Sequence, residues 1–148
     1  MTYMLGIKRL VVHHSGSPRS QSVDAIKRYH TSPEPFGKGW PDIAYHHIID
    51  DHGVVHPGRP LFLRGFHVKG LNSISIGVCL IGNNLDPDER WNQAQITSLR
   101  RYMAAWRLLV PSIEVVGHHE VGQTNCPGIG HEVLVALMQG ESLLQGAT

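Results

Sequence analysis

Potential metal ligands stand near the two ends of the chain, and this placement constrains the fold more than any other feature. A histidine pair, His13 and His14, closes an apolar run near the start, and a second pair, His118 and His119, precedes Cys126 near the end. One histidine from each pair, together with the cysteine, gives zinc three protein ligands and leaves its fourth position for water, which is typical of a catalytic site. The fold must then bring both ends of the chain to one point.

The histidine pairs can supply only one ligand each. The chain holds eleven histidines, so any one of them alone indicates nothing beyond an ordinary surface or core residue. Adjacent side chains of an extended strand point to opposite faces, so His13 and His14 cannot both reach one ion. The pattern does not tell which histidine of a pair binds. The metalloprotease pattern His-Glu-x-x-His is absent, because Gln123 stands where its second histidine is required.

A zinc ion with an open position supplies hydrolytic chemistry. It lowers the pKa of its bound water to about 7 and polarises a neighbouring carbonyl oxygen, which suits hydrolysis of an amide. A structural zinc site in a scaffold protein is the alternative, but such a site normally has four protein ligands and only three are apparent.

Length and composition predict one globular domain over residues 1–148, with a core at about 8–140 and a frayed tail at 141–148. The chain is 41% hydrophobic and 17% charged, and its formal net charge of +1 argues against nucleic-acid binding. We expect a monomer.

Targeting signals and disulfides are not expected in this chain. The N-terminus lacks the pattern of a secretory signal peptide, and no apolar run is long enough to span a bilayer, so we expect synthesis in the cytoplasm and no membrane insertion. In a reducing compartment Cys79 and Cys126 are not expected to pair. Cys79 lies in an apolar run and is expected to be a small buried hydrophobe.

Hydrophobic periodicity predicts an α/β fold in which strands and helices are interleaved. We expect strands at 8–14, 44–50, 54–56, 74–81 and 113–116, and helices at 22–31, 93–110 and 131–139. Asn92 and Gln95 resemble a capping box at the start of the second helix. These elements predict a central mixed β-sheet of about five strands flanked by helices, with zinc at strand ends in a surface groove.

Five short blocks, taken in order, resemble a known enzyme family. They are Val12-His13-His14-Ser15, Ala44-Tyr45-His46-His47-Ile48-Ile49, His67-Val68-Lys69-Gly70-Leu71-Asn72, Ser73-Ile74-Ser75-Ile76-Gly77-Val78, and His118-His119-Glu120 with Cys126-Pro127. Together they resemble the zinc-dependent N-acetylmuramoyl-L-alanine amidases, which include small phage lysozymes, bacterial wall-recycling amidases and animal peptidoglycan recognition proteins. Each block alone is weak, and only the set is specific.

The resemblance implies the residues of the site. It implies one Zn²⁺ per chain held by His13, His118 and Cys126, an active-site phenol at Tyr45 and a substrate-side imidazole at His67. The reaction it implies is hydrolysis of the amide between N-acetylmuramic acid and L-alanine in peptidoglycan.

Thr124 departs from the phage enzymes of this family, which resemble one another in carrying a lysine at that place. A hydroxyl offers the developing oxyanion a hydrogen bond but no charge. Threonine here resembles the recognition-protein branch, whose zinc-bearing members are also amidases. We therefore expect Thr124 to contribute to catalysis, with transition-state stabilisation depending more on the metal.

Further candidates for substrate binding come from local pattern. By strand alternation Tyr45 and His47 share a face, so His47 is expected to approach the groove. Trp40, in a Gly/Pro-rich loop, can stack on a sugar or fill the core, and we favour the core.

Arg59 and Arg64, which precede the 67–72 block, can grip a stem-peptide carboxylate through their guanidinium groups, although charges in loops are usually just solvated. Asn72 closes that block and is the last candidate.

The function expected from the sequence is a phage-type endolysin that acts on peptidoglycan or muropeptides. It would reach the cell wall through a holin, through lysis or through a secretion system. The alternatives are a non-catalytic peptidoglycan-binding module and a cytoplasmic muropeptide-recycling amidase. Binding modules of this family lack the cysteine ligand, so Cys126 favours the enzyme.

Overall fold

The structure, a computed structural model, describes residues 2–140, and the predicted fraying of 141–148 lies outside them. The elements in chain order are β1 (Arg9–His14), α1 (Val23–Thr31), β2 (His47–Ile49), β3 (Val55–Pro57), β4 (Ser75–Leu80), α2 (Gln93–Leu109), β5 (Glu114–Gly117), a 3₁₀ turn (His118–Glu120) and α3 (His131–Met138). No helix among these is both long and apolar enough to cross a bilayer.

One mixed sheet runs through the described part of the chain, in the order β3-β2-β4-β1-β5. Strands β2, β4, β1 and β5 are parallel to one another, and β3 pairs with β2 in the antiparallel sense. The predicted α/β architecture is confirmed. Because β1 and β5 are parallel and Val12 pairs with Gly117, the residues that follow this pair lie side by side at the carboxyl ends of the two strands. These residues are His13, still within β1, and His118, in the turn after β5.

Helices α2 and α3 cover one face of the sheet and form the main core. This core joins Leu10, Val12, Ile76, Val78 and Leu80 of the sheet to Ile96, Leu99, Met103, Leu134 and Leu137 of the helices. Smaller clusters on the opposite face include Val11 with Val68 and Val116. Since side chains alternate along a strand, His13 lies on the same face as Val11, away from the main core.

The start of α2 confirms the predicted capping box. The Asn92 side chain accepts a hydrogen bond from the backbone N–H of Gln95, and the Gln95 side chain accepts one from the backbone N–H of Asn92, each at 3.0 Å. Two orphan donors of the first turn are thereby satisfied. The helix ends at Leu109, one residue before the predicted end, ahead of Pro111.

The strand predicted at 44–50 is shorter than expected. Residues 44–46 lie outside β2, and their carbonyl oxygens accept hydrogen bonds from a neighbouring loop instead of from a strand. Ala44 accepts from the N–H of Phe66, Tyr45 from that of Arg59, and His46 from that of Gly58. These bonds bend the chain just before His47, so the side-chain alternation of β2 does not extend back to Tyr45.

A matched pair of substitutions on α2 tests the position of the core. Leu99 is fully buried and Leu108 is 83% exposed, so Leu99→Ala leaves a cavity whereas Leu108→Ala does not. We expect Leu99→Ala to lower the free energy of unfolding by about 2–5 kcal/mol. Leu108→Ala should change it by no more than about 0.5 kcal/mol. Urea denaturation followed by circular dichroism measures both, and equal losses would contradict this core.

Candidate metal centre and substrate groove

His13, His118 and Cys126 meet at one point. One potential ligand atom from each residue lies within 4.8 Å of the others. The Sγ of Cys126 is 3.7 Å from Nδ1 of His13. Tetrahedral zinc with ordinary Zn–N and Zn–S bonds places such a pair about 3.6 Å apart. The donor set and its spacing therefore fit a zinc ion.

The turn after β5 aims His118 at this point. Glu120 holds the turn, because its Oε2 accepts the backbone N–H of Gly117 at 2.6 Å while its Oε1 lies 2.7 Å from Nδ1 of His131. Both oxygens of this carboxylate are thus engaged within the protein. His119 contributes its backbone N–H to the carbonyl of Cys126 at 2.7 Å. Its ring is not part of the ligand group.

The loop that carries Cys126 is fastened to β1 and to the segment after β4. The backbone N–H of His14 donates to Sγ of Cys126 at 3.3 Å. Asn84 donates from its side chain to the carbonyl of Pro127 at 2.9 Å and from its backbone to Nδ1 of His14 at 3.2 Å. Asn84 is buried. Sequence reasoning missed it, because an asparagine after a strand indicates a turn and not the partner that it binds.

Burial sets the protonation of the ligands in the metal-free protein. It lowers the pKa of His13 well below the usual value and also lowers that of His118, so both imidazoles are neutral, as metal binding requires. Burial raises the pKa of the Cys126 thiol to about 12, and the N–H of His14 acts in the opposite direction. A bound metal must therefore displace one proton from Cys126.

A groove of about 580 Å³ opens over the three ligands. Its lining also includes Tyr29, His30, Lys38, Trp40, Tyr45, Phe66, His67 and Thr124. The Tyr45 ring centroid is 5.0 Å from that of His13. The Thr124 hydroxyl accepts the backbone N–H of Cys126 at 3.2 Å and still has a proton to donate. The structure thus brings the predicted Tyr45, His67 and Thr124 together with the metal ligands.

Trp40 lies in the groove wall and not in the core that we favoured. It stacks on Phe66 with ring centroids 5.7 Å apart and planes inclined by 19°. The ammonium of Lys38 lies 5.8 Å above the Trp40 ring and 5.9 Å above that of Tyr29. This wall offers aromatic faces and one cation to whatever occupies the groove.

The expectation that His47 approaches the groove is wrong. Its Nδ1 lies 2.7 Å from the hydroxyl of Tyr102 on α2, on the opposite face of the sheet. The alternation argument failed because β2 begins only at His47 and does not extend back to Tyr45. His46 takes the groove-side face instead, where its Nδ1 accepts the backbone N–H of Gly77 at 3.0 Å.

Arg59, Arg64 and Asn72 lie outside the groove of the metal ligands. They line a second cavity of about 270 Å³, and Phe66 stands between the two cavities. The buried guanidinium of Arg59 donates to the carbonyl of Arg64 at 2.9 Å and lies 3.7 Å from the carboxylate of Asp42. The Nε of Arg64 donates to the carbonyl of Tyr3 at 3.0 Å. Binding of a stem-peptide carboxylate by these arginines stays a prediction.

His67 borders the groove, yet both of its ring nitrogens have partners inside the protein. Nδ1 is 2.9 Å from Nε2 of His13, and Nε2 is 3.3 Å from the carbonyl oxygen of Ser75. Asn72 holds the same segment, since its Oδ1 accepts the backbone N–H groups of His67 and Val68 at 3.0 and 2.9 Å. The substrate-side role implied for His67 therefore lacks a free nitrogen in this structure.

Comparison with known proteins agrees with this geometry. The family model described as N-acetylmuramoyl-L-alanine amidase matches residues 4–129. The endolysin of Escherichia phage T7 is 36% identical over 123 residues, which cover 80% of this chain and 78% of that protein. The endolysin of Klebsiella phage KP32 is 32% identical over 124 residues, which cover 80% and 79%. Among solved structures, the Ph2119 endolysin from Thermus scotoductus MAT2119 bacteriophage Ph2119 superposes with a TM-score of 0.81 at 26% identity, over 96% of this chain and 90% of that one.

The buried side chain of His30, in the groove wall, predicts that the folded protein loses stability in acid. Nδ1 of His30 accepts the backbone N–H of Ala44 at 3.0 Å, and burial lowers the pKa of His30 to about 4. The unfolded chain binds a proton at this histidine near pH 6.5, so its stabilisation is complete above that pH and is lost as the pH falls toward about 4.

Urea denaturation of metal-free protein at pH 7.5 and pH 5 tests this prediction. His30→Gln should weaken the pH dependence, because glutamine can accept the same hydrogen bond without taking up a proton. His52→Gln is the control, since the His52 side chain is 82% exposed. An unchanged pH dependence in His30→Gln would contradict the assignment.

Proposed function

The chain belongs to the N-acetylmuramoyl-L-alanine amidase family and is a peptidoglycan amidase, and we propose that it cleaves the bond between N-acetylmuramic acid and L-alanine with one zinc ion, as a phage-type endolysin. The observation that carries the proposal is the convergence of His13, His118 and Cys126 beneath an open groove. The endolysins that resemble this chain support the lytic role.

Zinc, when bound, supplies a water molecule of pKa about 7 and a Lewis acid for the scissile carbonyl. His13, His118 and Cys126 would hold the ion, and the groove that opens over them would receive the substrate. Substrate entering the groove replaces solvent over the ligands, which strengthens electrostatic interactions there.

Tyr45 and Thr124 are the proposed hydrogen-bond donors to the oxygen on which negative charge develops. Burial raises the pKa of Tyr45 well above its usual value, so the phenol remains a neutral donor and does not act as a base. Thr124 stands two residues before Cys126 at the mouth of the groove, with its hydroxyl proton free to turn toward substrate. The proposal is supported by the position of both groups beside the ligand residues, Tyr45 next to His13 and Thr124 next to Cys126.

The groove wall suits a substrate with sugar and peptide parts. The rings of Tyr29 and Trp40 offer apolar faces to a sugar, and Lys38 lies over both rings. A stem peptide carries carboxylates that an ammonium can pair with. We propose that this wall selects peptidoglycan or its soluble muropeptides. Delivery of the enzyme to the wall would use a holin, lysis or a secretion system.

Metal analysis and product analysis together test the proposal. Purified protein should contain about one zinc per chain. Mass spectrometry of digested walls should detect stem peptides with a free N-terminal L-alanine, and chelation should abolish their release. Cys126→Ser should lose both zinc and activity, because it removes the thiolate. Cys79→Ala is the matched control, since Cys79 is buried and is not in the ligand group, and it should retain the metal. Wall binding without any cleavage, unchanged by chelator, would point to a binding module instead.

Tyr45→Phe separates substrate chemistry from metal binding. Loss of one donor to an oxyanion lowers kcat by about 10²–10³-fold, and zinc content should not change because Tyr45 is not a ligand. Tyr3→Phe, at an exposed tyrosine that does not line the groove, serves as the control and should keep kcat within a few-fold of wild type. Wild-type kcat in Tyr45→Phe, measured on soluble muropeptides, would remove Tyr45 from the mechanism.

A further inference from the structure

A chain of two hydrogen bonds runs from the sheet backbone to the metal ligand His13. The carbonyl oxygen of Ser75 lies 3.3 Å from Nε2 of His67, and Nδ1 of His67 lies 2.9 Å from Nε2 of His13. On the far side of the His13 ring, Nδ1 lies 3.7 Å from the Sγ of Cys126. The remaining nitrogen of His13 thus faces the point where the three ligands meet.

The direction of this chain follows from its first member. A carbonyl oxygen only accepts hydrogen bonds, so the proton of neutral His67 must reside on Nε2. Its Nδ1 is then a bare acceptor and requires a donor, which is Nε2–H of His13. A neutral imidazole has one N–H, so Nδ1 of His13 carries a lone pair. That lone pair points to the metal site.

His67 is itself held firmly from two sides. Asn72 fixes its backbone by accepting the N–H groups of His67 and Val68. Gly77 of β4 lies under the ring, where an added Cβ would stand 2.7 Å from both Cε1 and Nδ1 of His67. Only glycine lets the imidazole lie this close to the strand. This close approach explains why a glycine stands in the middle of a fully buried strand.

We propose that His67 is a positioning residue that locks His13 in the Nε2–H tautomer, so that Nδ1 is preorganised as a metal ligand. This role differs from the substrate contact that the family resemblance implies for His67, because both ring nitrogens of His67 are used within the protein. Its consequence for catalysis rests on the proposed zinc-dependent function. The tautomer of His13, in contrast, is a property of the metal-free chain.

The tautomer can be measured directly in the unmodified protein. Long-range ¹H–¹⁵N correlation spectra of ¹⁵N-labelled, metal-free protein distinguish Nδ1–H from Nε2–H histidine. We expect both His13 and His67 to be Nε2–H tautomers. An Nδ1–H tautomer at His13 would overturn the proposal, and this result needs no variant to fold. It is also independent of whether the protein proves to be a zinc enzyme.

Two substitutions then test the consequence for metal binding. His67→Leu removes acceptor and donor, and we expect zinc affinity to fall by about 10–100-fold, the effect typical of losing an outer-shell partner. His67→Gln should restore most of the affinity, since the amide offers an oxygen to His13 and an N–H to Ser75. His47→Leu is the matched control, because His47 is a half-buried histidine on the opposite face of the sheet.

The outcomes separate this proposal from the proposed function. If wild type binds no zinc, the proposed function fails while the spectra still decide the tautomer. If His67→Leu binds zinc as wild type does, keeps the His13 tautomer and only raises KM for muropeptides, His67 is a substrate residue and the proposal is wrong.

Discussion

The parallel pairing of β1 with β5 is the contact on which the site depends. It sets Val12 beside Gly117, so that His13 and His118 lie together at the carboxyl ends of these two strands. A slip of one residue in β1 would turn His13 to the helix-covered face and bring a different side chain to the groove. Leu10 and Val12 prevent that slip, because it would remove them from the main core. Packing of the helices on one face of the sheet thereby fixes the position of His13 on the other face.

The same burial that shapes the site sets its charge. Neutral imidazoles at His13 and His118 and a protonated thiol at Cys126 carry no charge, so the metal-free protein does not have to bury one there. Charge enters only with the ion. A dication held by one thiolate and two neutral imidazoles would leave net positive charge beneath the groove, which would stabilise negative charge developing on a carbonyl oxygen there.

Much of this arrangement could be predicted from the sequence, and the failures have a common cause. Long periodic segments such as α2 were placed to within a residue, because burial of one helix face is a local pattern. The choice of His13 over His14 required the family resemblance. The alternation of side chains wrongly predicts His47 in the groove, and no sequence pattern predicts the partners of the two His67 ring nitrogens, because both depend on residues distant in sequence. The bends before His47 come from the loop at 58–66, and the partners of His67 come from β1 and β4.

The two sides of the groove are held in different ways, and this difference determines which residues of the site can vary. His13 is held by the sheet, and His118 and Cys126 by short turns fastened to its edge. The wall facing them comes from α1, which carries Tyr29 and His30, and from segments without regular structure. These segments are joined by Trp40 stacked on Phe66 and by the Arg59 guanidinium 4.9 Å above the Phe66 ring. Loops tolerate substitution better than buried strands do. Substitutions at Lys38 or Trp40 can therefore alter the binding of wall fragments proposed for this groove, while the positions of His13, His118 and Cys126, fixed by the sheet and its turns, stay the same.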